Sequence, residues 1–246
     1  MDRFLYVAMT GASESLRLQA VNNHNLANAT TPGFRADLAA FETRAVAGPG
    51  HASRAYATAG TSGWDAQAGA MQATGRDLDV AVQGDGWIAV QGADGREAYT
   101  RAGDLRLDVD GNLVNGAGRL VLGDGGPINV PPHSSLAVGV DGSISIVPLG
   151  QGPETTATVG RIKLVAPADV DLVKGEDGLF RRRDGADAAP DAGVRLATGA
   201  LESSNVNVAD VMVRMIELSR RFELEVKAMR TAEENGAAAS QLLRSS

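Results

Sequence analysis

The sequence predicts an α+β protein in which long N- and C-terminal helices pair as a coiled-coil-like terminal domain, with a mostly antiparallel β-domain inserted between them. Three observations carry this. Near the N-terminus, Leu5, Met9, Ala12, Leu16 and Leu26 recur in alternating steps of four and three, with Gln19 and Asn23 on the same line. That spacing keeps one stripe of a helix turned toward a partner. Near the C-terminus, Val208, Val211, Met215, Leu218, Phe222, Met229 and Ala232 repeat the pattern, interrupted where Glu225 takes a stripe position beside Val226. Between the two stripes, eight Asp-Gly or Asn-Gly dipeptides punctuate the chain, a hairpin signal because both residues tolerate positive φ.

The first helix is free of proline over residues 3–29. It is expected to end between Asn28 and Thr31, because Pro32 restricts the residue before it and Gly33 follows. Residues 34–44 read as a second short helical piece, which closes an N-terminal helical segment at 1–44. Residues 45–75, rich in Ala, Gly, Ser and Thr with no sustained period, read as an extended, weakly structured arm. The β-domain spans 76–198, with strand candidates at 78–83, 87–91, 98–107, 113–115, 119–122, 136–140, 143–147 and 159–165. Leu105, Leu107 and Val109 alternate as a half-buried strand requires, and so do Leu136, Val138 and Val140. Residues 183–193 read as loop. The C-terminal helical segment is 199–246. Asn207 is its expected N-cap, with Asp210 in the first turn favouring the positive end of the helix dipole. Val206 and Val211 occupy the positions of a hydrophobic staple. Gly236 costs about 1 kcal/mol against Ala in a helix, yet the helix is expected to run through it, since Leu242 and Leu243 otherwise have no purpose.

Composition narrows the function classes. The chain has 246 residues, a formal net charge of −7, no cysteine and only 4% aromatic residues. Disulfides, thiol catalysis and thiolate metal sites are excluded, and general affinity for nucleic acid or anionic membrane is not expected. The N-terminus lacks a basic region followed by an apolar run, so no cleavable signal peptide is expected. No run approaches the roughly 20 apolar residues of a membrane span.

Candidate chemistry is thin. Gly84-Asp85-Gly86-Trp87-Ile88-Ala89 fits a dinucleotide fingerprint by letter, but that motif needs a helix after the glycines, and Asp94-Gly95 soon after points to a hairpin. Asp108-Val109-Asp110-Gly111-Asn112 opens like a calcium loop without its closing Glu. His24, His51 and His133 lie far apart, and Arg181-Arg182-Arg183 reads as a solvated strand end. No catalytic, metal or cofactor residues are selected, and no small-molecule substrate is expected.

Three blocks of sequence carry a resemblance. The first runs Asn25-Leu26-Ala27-Asn28-Ala29-Thr30-Thr31-Pro32-Gly33-Phe34-Arg35-Ala36-Asp37. The second is Thr74-Gly75-Arg76-Asp77-Leu78-Asp79-Val80-Ala81-Val82-Gln83-Gly84-Asp85-Gly86-Trp87, followed by Tyr99-Thr100-Arg101-Ala102-Gly103. The third is Gly199-Ala200-Leu201-Glu202-Ser203-Ser204-Asn205-Val206-Asn207-Val208, leading to Met215-Ile216 and Arg221-Phe222-Glu223. Together they resemble the axial proteins of the bacterial flagellum, the rod and hook family, over nearly the whole chain. The opening Met1-Asp2-Arg3, Met9-Thr10-Gly11-Ala12 and the short length look most like a proximal-rod subunit, with a distal-rod subunit the close alternative.

The resemblance implies a non-enzymatic structural subunit of the basal-body rod. Its terminal domain would be made from both chain ends, and its subunits would stack helically into a hollow shaft that transmits torque. It implies other rod subunits and the flagellar type III export apparatus as partners, and a place in the basal body within the periplasmic space. The interface residues expected from the stripes are Leu5, Met9, Leu16 and Leu26 on one helix and Val211, Met215, Leu218, Phe222 and Met229 on the other. The matched motif residues are Asn25, Leu26, Ala27, Asn28, Pro32, Gly33 and Phe34, then Ser204, Asn205, Val206 and Asn207. Asn25 and Asn28 are expected to fix the end of the first helix by side-chain to backbone hydrogen bonds. His24 departs from the family, which usually has another Asn there. The stripes alone also fit an intramolecular helical hairpin on a non-polymerising β-module.

Overall fold

The computed structural model describes residues 2–45, 55–152 and 154–244. The chain divides into two compact units. A helical unit is formed by Met1–Ala29, Ala36–Asp65 and Val206–Ser246, and a β unit by Thr30–Arg35 and Ala66–Asn205.

The helical unit is built on α1 (Asp2–Ala27) and α2 (Val208–Arg244). Asn207 caps α2 as expected, its Oδ1 accepting the amides of Ala209 at 3.0 Å and Asp210 at 3.4 Å. The helix runs through Gly236. The two helices pack antiparallel. Asn22 Nδ2 donates to the Val211 carbonyl at 2.8 Å, and near the other end of α1 a side chain at Gly11 would strike the Glu225 carboxylate at 2.7 Å.

Two expectations in this unit are corrected. Residues 37–45 are not helical. They form strand β1 (Asp37–Ala45), which pairs antiparallel with β2 (Ala55–Trp64). Part of the expected arm is therefore a ladder strand, and residues 46–54 lie outside the described residues. Backbone pairing decides this, because helical residues at 37–45 would leave β2 without a partner.

In the β unit, β3 (Met71–Ala73) pairs with residues 200–202, and β4 (Val80–Gln83) pairs with 195–198. A five-stranded antiparallel sheet contains β5 (Trp87–Gln91) and β6 (Glu97–Thr100), flanked by strands at 164–165, 180–182 and 172–174. The strands after residue 170 carried no alternation that the sequence reading recognised. The expected single strand at 98–107 is broken at Arg101–Gly103. There the chain backs so closely onto β4 that a side chain at Gly103 would lie 1.8 Å from the Val80 carbonyl oxygen. The core is aliphatic, with Ile88, Leu105, Leu113, Ile144 and Leu196 fully enclosed, and Trp87 meets Phe180 at 4.4 Å between ring centroids. Tyr99 holds the loop at 183–193, accepting the Ala188 amide at 2.6 Å and donating to Glu97 at 3.0 Å. Burial pushes its phenol well above the usual range.

The Asp-Gly hairpins follow a different geometry from the one expected. Among the described residues no non-glycine has positive φ. At Gly92–Arg96, Gly139–Ser143 and Gly175–Leu179, the first amide donates to the fifth carbonyl, and the fourth residue, a glycine at φ +74° to +84°, donates back to the first carbonyl. Each is a type I turn closed by a left-handed glycine. The Asp before that glycine accepts the amide two residues on, at 3.2 Å in all three.

Candidate functional site

The Asn-rich motif at the end of α1 works as a backbone connector. Asn25 uses its side-chain amide as a strand would: Nδ2 donates to the Asp37 carbonyl at 2.9 Å, and Oδ1 accepts the Asp37 amide at 2.8 Å. Asn28 Nδ2 donates to the His24 carbonyl at 2.9 Å and closes the last helical turn. Both asparagines thus make the expected kind of bond, and Asn25 reaches on to start β1. His24 Nδ1 lies 2.7 Å from Asp37 Oδ2, so the residue that departs from the family pattern braces the same connection.

The nine stripe residues separate into two groups. On α2, Val211 is buried, and Met215, Leu218, Phe222 and Met229 are half-buried. Leu218 lines a cleft of about 340 Å³ together with Leu18, Val21, Asn22 and Asn25 of α1. On α1, Leu5 and Leu26 are half-buried, whereas Met9 and Leu16 are each 51% exposed. The positions α1 buries are instead Ala8, Gly11, Ala12, Glu14, Ser15, Leu18, Asn22 and Asn25. Close approach of α2 explains the choice, since only small residues fit where Glu225 lies against Gly11. Beyond Met9 and Leu16, the helical unit leaves Tyr6 on α1 and Met212, Val213, Ile216 and Leu224 on α2 open to solvent, Leu224 at 67%.

Within the β unit, the remaining motif residues converge on a buried ion cluster. Glu202 Oε1 accepts Arg35 Nη2 at 2.8 Å and the Gly69 amide at 3.0 Å, while Oε2 accepts Arg101 Nη1 at 3.1 Å. Arg35 also donates to the Gln67 carbonyl, and Arg101 Nη2 donates to Gly84 O at 2.8 Å with its guanidinium 5.3 Å over the Trp87 ring. Burial holds the Arg35 guanidinium below its ordinary range, opposed by the Glu202 charge. Lys174 Nζ donates to the Arg35 carbonyl at 2.7 Å and sits 4.0 Å from the Phe34 ring centroid. Gly33 has φ +66°, and a side chain there would meet the Arg101 carbonyl carbon at 2.2 Å, so the Pro-Gly-Phe-Arg turn requires glycine. Its amide donates to Glu202 O at 2.8 Å, and the Asn205 amide donates to Phe34 O at 3.2 Å. Sequence reasoning placed Arg35, Arg101 and Glu202 in separate blocks without joining them. The available signal was a single charged residue, Glu202, in the otherwise uncharged stretch 196–209, and it did not identify a partner.

Comparison with known proteins decides what these blocks belong to. The family model for the flagellar hook protein FlgE/F/G D1 domain matches residues 81–146, and that for the flagellar basal body rod FlgEFG protein C-terminal region matches 197–242. The flagellar basal-body rod protein FlgF of Salmonella typhimurium is 44% identical over 99% of both chains, and that of Escherichia coli K12 is 43% identical over the same share. The chain belongs to the flagellar basal-body rod protein family. It is also similar to the rod protein FlgG of Bacillus subtilis, at 33% identity over 95% of this chain and 96% of the relative. Within the family it is therefore most like FlgF, and the family is a structural one. Among the described residues no helix is long and apolar enough to cross a membrane.

Proposed function

We propose that this chain, a structural subunit of the flagellar basal-body rod in the proximal part of the shaft, polymerises through its helical unit. The observation that carries the assembly reading is the row of open apolar side chains on helices that are already packed together: Tyr6, Met9 and Leu16 on α1, and Met212, Val213, Ile216 and Leu224 on α2. Large apolar side chains left open together on paired helices mark an interaction surface. In this reading Val211, Met215, Leu218, Phe222 and Met229 turn toward α1 as a coiled-coil-like core. The alternation of three and four along Ala8, Gly11, Ser15, Leu18, Asn22 and Asn25 supports that pairing. Met9 and Leu16 then meet neighbouring rod subunits, so the expected interface divides into an internal half and an external half. The partners are other rod subunits and, for delivery, the flagellar type III export apparatus, with no nucleic acid or small-molecule substrate involved. The shaft carries torque from motor to hook.

Ile216→Asp tests the assignment. The substitution leaves the purified chain folded, by circular dichroism and melting temperature, and removes it from isolated basal bodies. A melting temperature lowered as much as by Leu18→Asp places Ile216 inside the chain's own packing. Normal incorporation removes the assembly role of the exposed face.

A further inference from the structure

Four peptide connections join the two units, at 29–30, 35–36, 65–66 and 205–206. Inside the β unit, the residues next to these connections are gathered at the Glu202 cluster. Residues 33–35 lie along one edge of the 202–205 segment through the Gly33 and Asn205 amides. Residues 69–73 lie along its other edge through the ladder of β3 and the Ser203 amide, which donates to Ala70 O at 2.8 Å. A side chain at Gly69 would lie 1.8 Å from the Ser203 carbonyl oxygen, so the fit there is close. Asn205 Nδ2 adds a bond to Gln67 O at 2.9 Å. Arg101 then ties the assembly to the sheet, through Glu202 on one side and the carbonyls of Val82 and Gly84 on the other.

We propose that the Arg35–Glu202–Arg101 cluster is a mechanical clamp that locks all four connections to the β unit at once. The backbone bonds at this edge, pulled from the chain ends, would open one after another. The carboxylate changes that, because its three donors come from three different chain segments and two of them are guanidinium groups. Moving the Arg35 or the Glu202 segment separates buried opposite charges, and moving the Gly69 segment takes a donor from the same carboxylate, so the segments of this edge open together. The mechanical role rests on the rod assignment; the clamp itself does not.

Hydrogen exchange on the full-length chain tests the clamp. Glu202→Gln speeds exchange at least tenfold in 31–35, 67–73 and 200–205 together, while the hairpins at 92–96 and 139–143 keep their protection. Arg35→Lys, which keeps the charge but lacks the fork that reaches Glu202 and Gln67 together, gives the same pattern more weakly. Acceleration confined to 200–205 overturns the clamp. So does acceleration spread evenly through the β unit, as in a Val90→Ala chain of matched melting temperature. In cells, Glu202→Gln rods drive swimming in dilute medium and fail disproportionately as viscosity rises. Speeds that fall in parallel with wild type overturn the mechanical role. Complete rods in cells lacking this chain would instead overturn the rod assignment and leave the exchange result standing.

Discussion

In the β unit, Ile88, Leu105, Leu113 and Leu196 have no exposed surface, while Asp-Gly pairs take the hairpin tips. In the helical unit, Ala8, Gly11, Ala12 and Ser15 are buried, while Met9, Leu16, Ile216 and Leu224 are half open or more. The large apolar side chains that the β unit leaves open, such as Val109, Val140 and Leu149, stand on turns, whereas the helical unit shows its own along its two helices. A unit that buries small residues draws its backbones close but encloses little apolar area, and area is what the hydrophobic effect rewards. The β unit is complete within one chain. The helical unit leaves Met9, Leu16, Ile216 and Leu224 open, the side chains proposed above to meet a neighbour.

The sharpest way to break this contrast is to truncate one leucine in each unit. Leu105→Ala is expected to lower stability of the β unit by about 2–5 kcal/mol, as enclosed leucines do. Leu16→Ala is expected to stay within about 0.5 kcal/mol in the free chain and to weaken assembly. Urea unfolding of both variants checks this, and equal losses would show that Leu16 belongs to a finished core.

A smaller effect is expected at the Pro-Gly-Phe-Arg turn. Gly33→Ala forces a side chain into the left-handed region, at a cost of about 1–2 kcal/mol, and against the Arg101 backbone. The loss should appear in thermal unfolding of the β unit, and an unchanged transition would mean that the turn relaxes freely.

The least effect concerns acid. Asp141 is held down to about 2 by the Ser143 hydroxyl first, then by the Ser143 amide and Arg161. A folded value below the ordinary 3.8 means the carboxylate stabilises the fold above that value, and the contribution is lost as pH falls toward about 2. Asp141→Asn should therefore lower the urea midpoint at pH 7. The gap to wild type should narrow as pH falls from 4 to 2. A gap independent of pH would show that the turn needs the side chain's shape and not its charge.

Much of the fold could be read from the residues. Pro32 and Gly33 end α1, Asn207 begins α2, and the stripe Val211, Met215, Leu218, Phe222 and Met229 is the less exposed side of α2. The α1 stripe misled because the eye follows large apolar residues, whereas packing against α2 selected Gly11 and Ser15 for their size. Strand β1 was missed because Asp37-Leu38-Ala39-Ala40 has good helix formers, and the ladder with β2 overrides local preference. The Glu202 cluster was not visible because charge pairing joins residues 35, 101 and 202, and no local period reports on such a contact.

The sheet order has a consequence in time. Residues 80–83 find their ladder partner only at 195–198, and 71–73 only at 200–202. Pairing over such separations is slow to nucleate, since loop closure must precede any reward. At roughly 5–20 residues per second of synthesis, the partner of β4 leaves the ribosome about 6–23 s after β4 itself. Through that interval the nascent chain cannot close its β unit. The chain thus carries its own folding delay, written into which strands must wait for which.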